Sequence, residues 1–196
     1  MSMNQSAYHP SIRRLVETAV MLAIANVLSE LSFQGPWPLG GSITIASTLP
    51  LVLITWRWGT KWGLFSAFVH GLLQMVLGFS NVQYAQNAFQ VIVIVVLDYL
   101  IAFSVIGLSG FFRHAFQKQL TAIIAGIVLS FSLRYLCHFL SGYMVWEALW
   151  PNELGWTSAL WSLAYNGSYI LPETIITCAI AALSHTALEP LWQRQY

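Results

Sequence analysis

Apolar residues along this chain gather into runs about as long as a lipid bilayer is thick, separated by short polar breaks. The runs predict helices at 12–31, 43–56, 62–78, 86–110, 120–144 and 158–187. A helix that crosses hydrocarbon needs about 20 mostly apolar residues. The expected fold is therefore all-α and integral to a membrane, with six transmembrane helices in a single domain over residues 1–196. The second and third runs are short. Pro50 within the second, and the Arg57-Trp58-Gly59-Thr60-Lys61 turn behind it, predict a bent helix that closes into a tight hairpin.

Composition sharpens this picture. Hydrophobic residues make up 57% of the chain and charged residues 8%, against roughly 25% charged in a soluble domain. The basic residues set the orientation, because short cytoplasmic loops collect Lys and Arg. Arg13, Arg14, Arg57, Lys61, Arg113, Lys118 and Arg194 fall on the side of the termini, while the loops 32–42, 79–85 and 145–157 hold no basic residue. Both termini are accordingly expected in the cytoplasm. A formal net charge of +1 offers no surface for neutralising phosphates, so nucleic acid is not an expected partner. Cys137 and Cys178 lie in apolar runs and read as small buried hydrophobes, not as a disulfide or a metal pair. The segment MSMNQSAYHPSIRRLVE lacks the apolar core of a removable signal peptide.

Ionisable groups inside the spans are the candidates for chemistry, since each costs at least ~2.5 to 3.5 kcal/mol to insert. Asp98 lies in the fourth span and Arg134 in the fifth, both roughly 15 to 18 Å below the outer boundary at 1.5 Å per residue. At that common depth they either pair with each other or leave the carboxylate for a ligand. Arg134, His138 and Gly142 recur every four residues and share one helix face, with Tyr135 and Trp146 adjacent. Tyr99, Trp161, Tyr165, Asn166 and Tyr169 add polar and aromatic groups in the outer halves of the fourth and sixth spans. One acid, one histidine, one amide and several rings together predict a pocket. Glu173, after Pro172, is expected to stabilise a kink or to meet a basic residue of the cytoplasmic end. Asn166-Gly167-Ser168 has the form of a glycosylation sequon but lies within a span, where it serves hydrogen bonding and close backbone approach. In the first span Ala19 and Ala23 form a smooth strip suited to helix docking. No Walker A loop and no HExxH pattern is present, so a transporter of this kind needs an external motor, and no metal or cofactor is expected.

These residues resemble a known family, the thiamine-specific substrate-binding (S) components of energy-coupling factor (ECF) vitamin transporters, called ThiT. The resemblance covers nearly the whole chain. It is carried by the Ala19/Ala23 strip, by Arg57-Trp58-Gly59-Thr60-Lys61-Trp62-Gly63 and by Leu97-Asp98-Tyr99 with Ala102-Phe103. The most specific stretches are Arg134-Tyr135-Leu136-Cys137-His138-Phe139-Leu140-Ser141-Gly142 with Trp146, and Tyr165-Asn166-Gly167-Ser168. It implies an S component in the bacterial plasma membrane that takes thiamine from outside. Its partners would be one transmembrane scaffold subunit and two cytoplasmic ATPases. Carried over, Asp98 contacts the aminopyrimidine where the family more often has Glu, and Tyr99, His138, Tyr165 and Asn166 are further contacts. Gly142 lets a ring approach, Trp146 and Trp161 are stacking walls, and Trp37 is the lid aromatic. Ala19 and Ala23 face the scaffold subunit, although the third position of that strip is Val27.

The residues taken alone also admit the same fold with another ligand, such as hydroxymethylpyrimidine, riboflavin or a pyridoxine-like ring. A different class is an intramembrane enzyme using Asp98, His138 and Glu173 as acid and base, which would require all three at one substrate atom. A structural subunit without ligand would account for the spans but not for the outer polar groups.

Overall fold

A computed structural model describes residues 10–37 and 40–193; Arg194 and most of the N-terminal polar segment lie outside them. Helix α1 (Pro10–Glu30) leads into a two-stranded antiparallel hairpin of β1 (Ser32–Phe33) and β2 (Ile43–Thr44), in which Ser32 faces Thr44 and Phe33 faces Ile43. Then follow α2 (Leu49–Trp58), α3 (Thr60–Leu77), α4 (Ala88–Gly110), α5 (Gln119–Leu149) and α6 (Ser158–Ser184). Three of these, α4, α5 and α6, are long and apolar enough to cross a membrane by length and composition.

The second predicted helix departs most from expectation. Residues 43 and 44 belong to the hairpin, and Pro50 occupies the first turn of α2, where its missing N–H and fixed φ suit a helix start. There it begins the helix and does not bend it. All ten residues of α2 are buried, as befits a helix that is apolar all round. Gly59 (φ +86°) makes the sharp turn into α3, and a Cβ at Gly63 would stand 2.2 Å from the Thr55 hydroxyl, so the α2–α3 hairpin closes on glycine. The core gathers around α2: Val52, Ile54 and Trp56 pack with Ile106, Ile123, Ile127, Phe131 and Ile170.

Two long helices are not regular. Ile94–Ile101 in α4 and Gly142–Trp146 in α5 are wound as π-helix, and α6 carries Pro172 in its interior. Such widened turns shift the side chains that follow them and recur at functional sites.

Candidate functional site

Both π segments face one cavity of about 340 Å³ at the end of the bundle away from Pro10 and Trp192. That volume falls within the range of small-molecule sites, roughly 300 to 1,000 Å³. Walls come from α4, α5 and α6, from the hairpin-end residues of α1 and α3, and from the loop between α1 and α2.

Asp98 stands at its centre, held by α5. His138 Nδ1 lies 3.0 Å from Oδ1, while the Ser141 hydroxyl (2.7 Å) and the Trp146 indole N–H (2.9 Å) donate to Oδ2. Three donors on one carboxylate fix its plane and leave part of its acceptor capacity for a ligand. His138 and Trp146 are in turn positioned by it, so the charge and two ring systems form a single wall. Trp146 also stacks on Trp150 with centroids 6.0 Å apart. On α6, Trp161 packs against Tyr165 (5.7 Å) and Tyr165 against Tyr169 (6.2 Å), which gives the opposite wall an aromatic lining.

Deeper in, Arg134 reaches Asp98 only through His138, whose Nε2 accepts from Arg134 Nε at 3.4 Å. Its guanidinium lies 3.7 Å from Glu173 Oε2 and 4.7 Å from the centroid of Phe103. The Thr44 hydroxyl of β2 donates to Glu173 Oε1 at 2.7 Å. Glu173, 1% exposed, therefore meets a basic residue of the cavity floor, whereas the sequence pointed to one at the cytoplasmic end. The alternative in which Asp98 and Arg134 pair is set aside by the same geometry.

Eight of the nine residues that the resemblance assigns to the ligand line this cavity: Asp98, Tyr99, His138 and Gly142, with Trp146, Trp161, Tyr165 and Asn166. Their environments differ from expectation in three cases. The Tyr99 hydroxyl donates to the Gly78 carbonyl (2.8 Å) and accepts from Asn81 (3.2 Å), so it locks α4 to the end of α3. A Cβ on Gly142 would stand 2.2 Å from the Ser162 hydroxyl, which makes this glycine a site of close approach for α6 where a ligand ring was expected. Asn166 donates to the Ser162 carbonyl (2.9 Å) and accepts from the Tyr169 hydroxyl (2.6 Å), and so spends most of its polar capacity inside α6.

Trp37 stands behind the wall. Its indole N–H donates to Ser168 (2.7 Å) and its ring meets Tyr169 edge-on at 5.8 Å. Together with the Tyr165 hydroxyl, which donates to the Gly40 carbonyl at 2.8 Å, it pins the α1–α2 loop across α6. Gly41 (φ +104°) presses on the Tyr169 ring, which a Cβ would reach at 2.7 Å. Ala19 and Ala23 are exposed on α1, far along the chain from the hairpin-end residues that line the cavity.

Sequence reading missed the contribution of α1 and α3. Gln74 donates to Asn26 (3.0 Å) and to Ser29 (2.7 Å), bridging the two helices beside the cavity. Glu30 and Glu147 also line it. A glutamine in an otherwise apolar span was the available signal for the first.

Residues 15–192 match the protein-family model described as Thiamine transporter protein (Thia_YuaJ). The thiamine transporter ThiT of Bacillus subtilis is 35% identical over 188 residues, covering 91% of this chain and 91% of its own. ThiT of Lacticaseibacillus paracasei is 27% identical over 195 residues, covering 94% of this chain and 92% of its own. Among solved structures, ThiT from Listeria monocytogenes aligns with a TM-score of 0.75 at 23% identity, over 93% of this chain and 98% of its own. The S component of a bacterial ECF transporter aligns at 0.64 and 17% identity, over 94% and 99%. These structural likenesses show the fold, that of an S component.

Proposed function

This chain belongs to the thiamine transporter family, and on that premise we propose that it is the thiamine-capturing membrane subunit of an ECF-type vitamin transporter. It is a transport protein and not an enzyme. The observation that carries the reading is the Asp98 wall, where a carboxylate and the rings of His138 and Trp146 are bound to one another on the cavity surface. Thiamine carries a thiazolium charge that no deprotonation removes. A dry site must answer it with a carboxylate or with π faces, each cation–π contact being worth ~0.5 to 2 kcal/mol. The neutral aminopyrimidine offers donor and acceptor edges, and Asp98, His138 and Tyr165 are the polar groups nearest to hand. Trp161 supplies the facing ring, Tyr99, Gly142 and Asn166 hold the helices that frame the ligand, and Trp37 fastens the roof.

In this reading the chain crosses the bacterial plasma membrane six times with both termini in the cytoplasm. Helix α2 is only 10 residues long, and the irregular stretch through Thr44, Ser47 and Thr48 completes its crossing. Those three residues are buried, the condition under which irregular backbone is tolerated at membrane depth. The partners are a transmembrane scaffold subunit, which meets the exposed Ala19/Ala23 strip, and two cytoplasmic ATPases.

Tryptophan fluorescence of the purified protein, titrated with thiamine, tests the proposal. Saturable quenching is expected, since an electron-poor thiazolium against Trp146 or Trp161 drains the excited indole. No response to thiamine, with a response to hydroxymethylpyrimidine or riboflavin, would keep the fold and overturn the substrate.

A further inference from the structure

Among the described residues, four carboxylates line the cavity, those of Glu30, Asp98, Glu147 and Glu173, against a single guanidinium, that of Arg134. The two deep acids are answered within the protein, Asp98 by His138, Ser141 and Trp146, and Glu173 by Arg134 and Thr44. The two at the rim meet no cation among the described residues. Glu30 makes no hydrogen bond or ion pair with any described residue. Glu147 Oε1 accepts from both the side-chain and the backbone N–H of Asn152 (2.6 and 3.1 Å), while its Oε2 is sealed from solvent without a donor. Their positions also count against a structural role. Glu30 ends α1 and Glu147 lies in the last turn of α5, where the helix dipole is already negative and an acid weakens the helix. Helix α3 presents its C-terminal end to the same cavity through Leu77 and Gly78, so three helix ends and two carboxylates without a cationic partner give the mouth one sign of charge.

We propose that Glu30 and Glu147 form an anionic rim that speeds capture of the cationic vitamin and turns away its phosphate esters. The inference rests on the thiamine reading above and adds to it the residues that select among the charge states of the ligand. A low-dielectric cleft lined by one sign of charge focuses field lines and raises encounter rates for the opposite sign. A monophosphate ester adds two negative charges to the ligand and meets the same field as a barrier. Because the effect acts before contact, it belongs in the association rate and fades as salt screens it over about 10 Å at 0.1 M.

The test is stopped-flow tryptophan quenching of the purified full chain with thiamine and with thiamine monophosphate, for wild type and Glu30→Gln/Glu147→Gln, at low and high potassium chloride. For thiamine at low salt, the double variant is expected to associate about threefold or more slowly, with an unchanged dissociation rate. For the monophosphate it is expected to associate faster, and high salt should erase both differences. The variant should melt at or above the wild-type temperature, as removing acids from helix C-termini requires. Association rates equal to wild type, or shifted alike for both ligands, would overturn the rim. Failure of the wild-type protein to bind thiamine would instead overturn the substrate assignment, so the two failures are distinguishable.

Discussion

Asp98 shows how one side chain acquires a role from its neighbours. Its side chain is only 13% exposed, at the cavity wall, and three donors of α5 supply most of its solvation. Asp98→Asn keeps the shape, removes the charge and turns one acceptor into a donor facing Trp146. Charge-assisted hydrogen bonds of this kind contribute about 1.5 to 3 kcal/mol, so thiamine affinity is expected to fall by roughly 10- to 100-fold with membrane expression intact, read by fluorescence titration. The Arg134–Glu173 pair obeys different logic. Removing one partner strands a buried charge at about 3 to 5 kcal/mol, whereas replacing both with apolar side chains is often neutral. Arg134→Met and Glu173→Leu are each expected to lower the melting temperature in detergent, and the double variant to recover most of the loss; additive losses would show that the residues do not act as a pair. Asp98, His138 and Arg134 were legible in the sequence because an ion in an apolar run needs a reason, and because a spacing of four puts residues on one helix face. Which ion meets which was not. Glu173 finds Arg134 only because α5 and α6 lie side by side, and Thr44 joins them from a strand that apolar patterning took for helix.

At the scale of elements, glycine sets the distances between helices. A Cβ on Gly126 of α5 would lie 1.8 Å from the Ser109 carbonyl of α4, and one on Gly107 of α4 would lie 2.3 Å from the Leu64 backbone of α3. Gly126→Ala must push α4 and α5 apart, and overpacking of this kind costs about 1 to 3 kcal/mol. A lower melting temperature together with weaker thiamine binding is expected, because the same two helices carry Asp98 and His138 across the contact; unchanged values of both would mean that the bundle yields without cost. Helix existence was well marked by the apolar runs, and α1, α3, α4, α5 and α6 begin within two residues of expectation. The π turns carried no such mark, since a single extra residue per turn leaves composition unchanged. They become visible only where Asp98 and Trp146 face each other across them. The α1–α2 hairpin escaped for another reason: its polar and glycine residues are ordered by Tyr165, Ser168 and Tyr169, which lie far along the chain.

The whole molecule presents two kinds of surface. Large apolar side chains such as Val76, Leu171, Ile175 and Leu183 point outward, at 64 to 86% exposure for the last three, as a protein facing lipid requires. On α1 the outward face is smoother, with Ala19 and Ala23 exposed between Val16, Val20 and Val27. Ala23→Trp is expected to leave thiamine binding unchanged in purified protein and to abolish thiamine uptake by cells that carry the coupling subunits; retained uptake would remove this strip from the docking face. The buried position of α2 reaches beyond the finished structure to its manufacture. A segment about 15 Å long, at 1.5 Å per residue, and enclosed on every side by its neighbours offers the insertion machinery no stable stop in lipid of its own. If it enters the bilayer as one arm of the hairpin closed by Gly59, its lasting place requires α4, α5 and α6 to close around it. The centre of this bundle thus depends for its place on helices that are made after it.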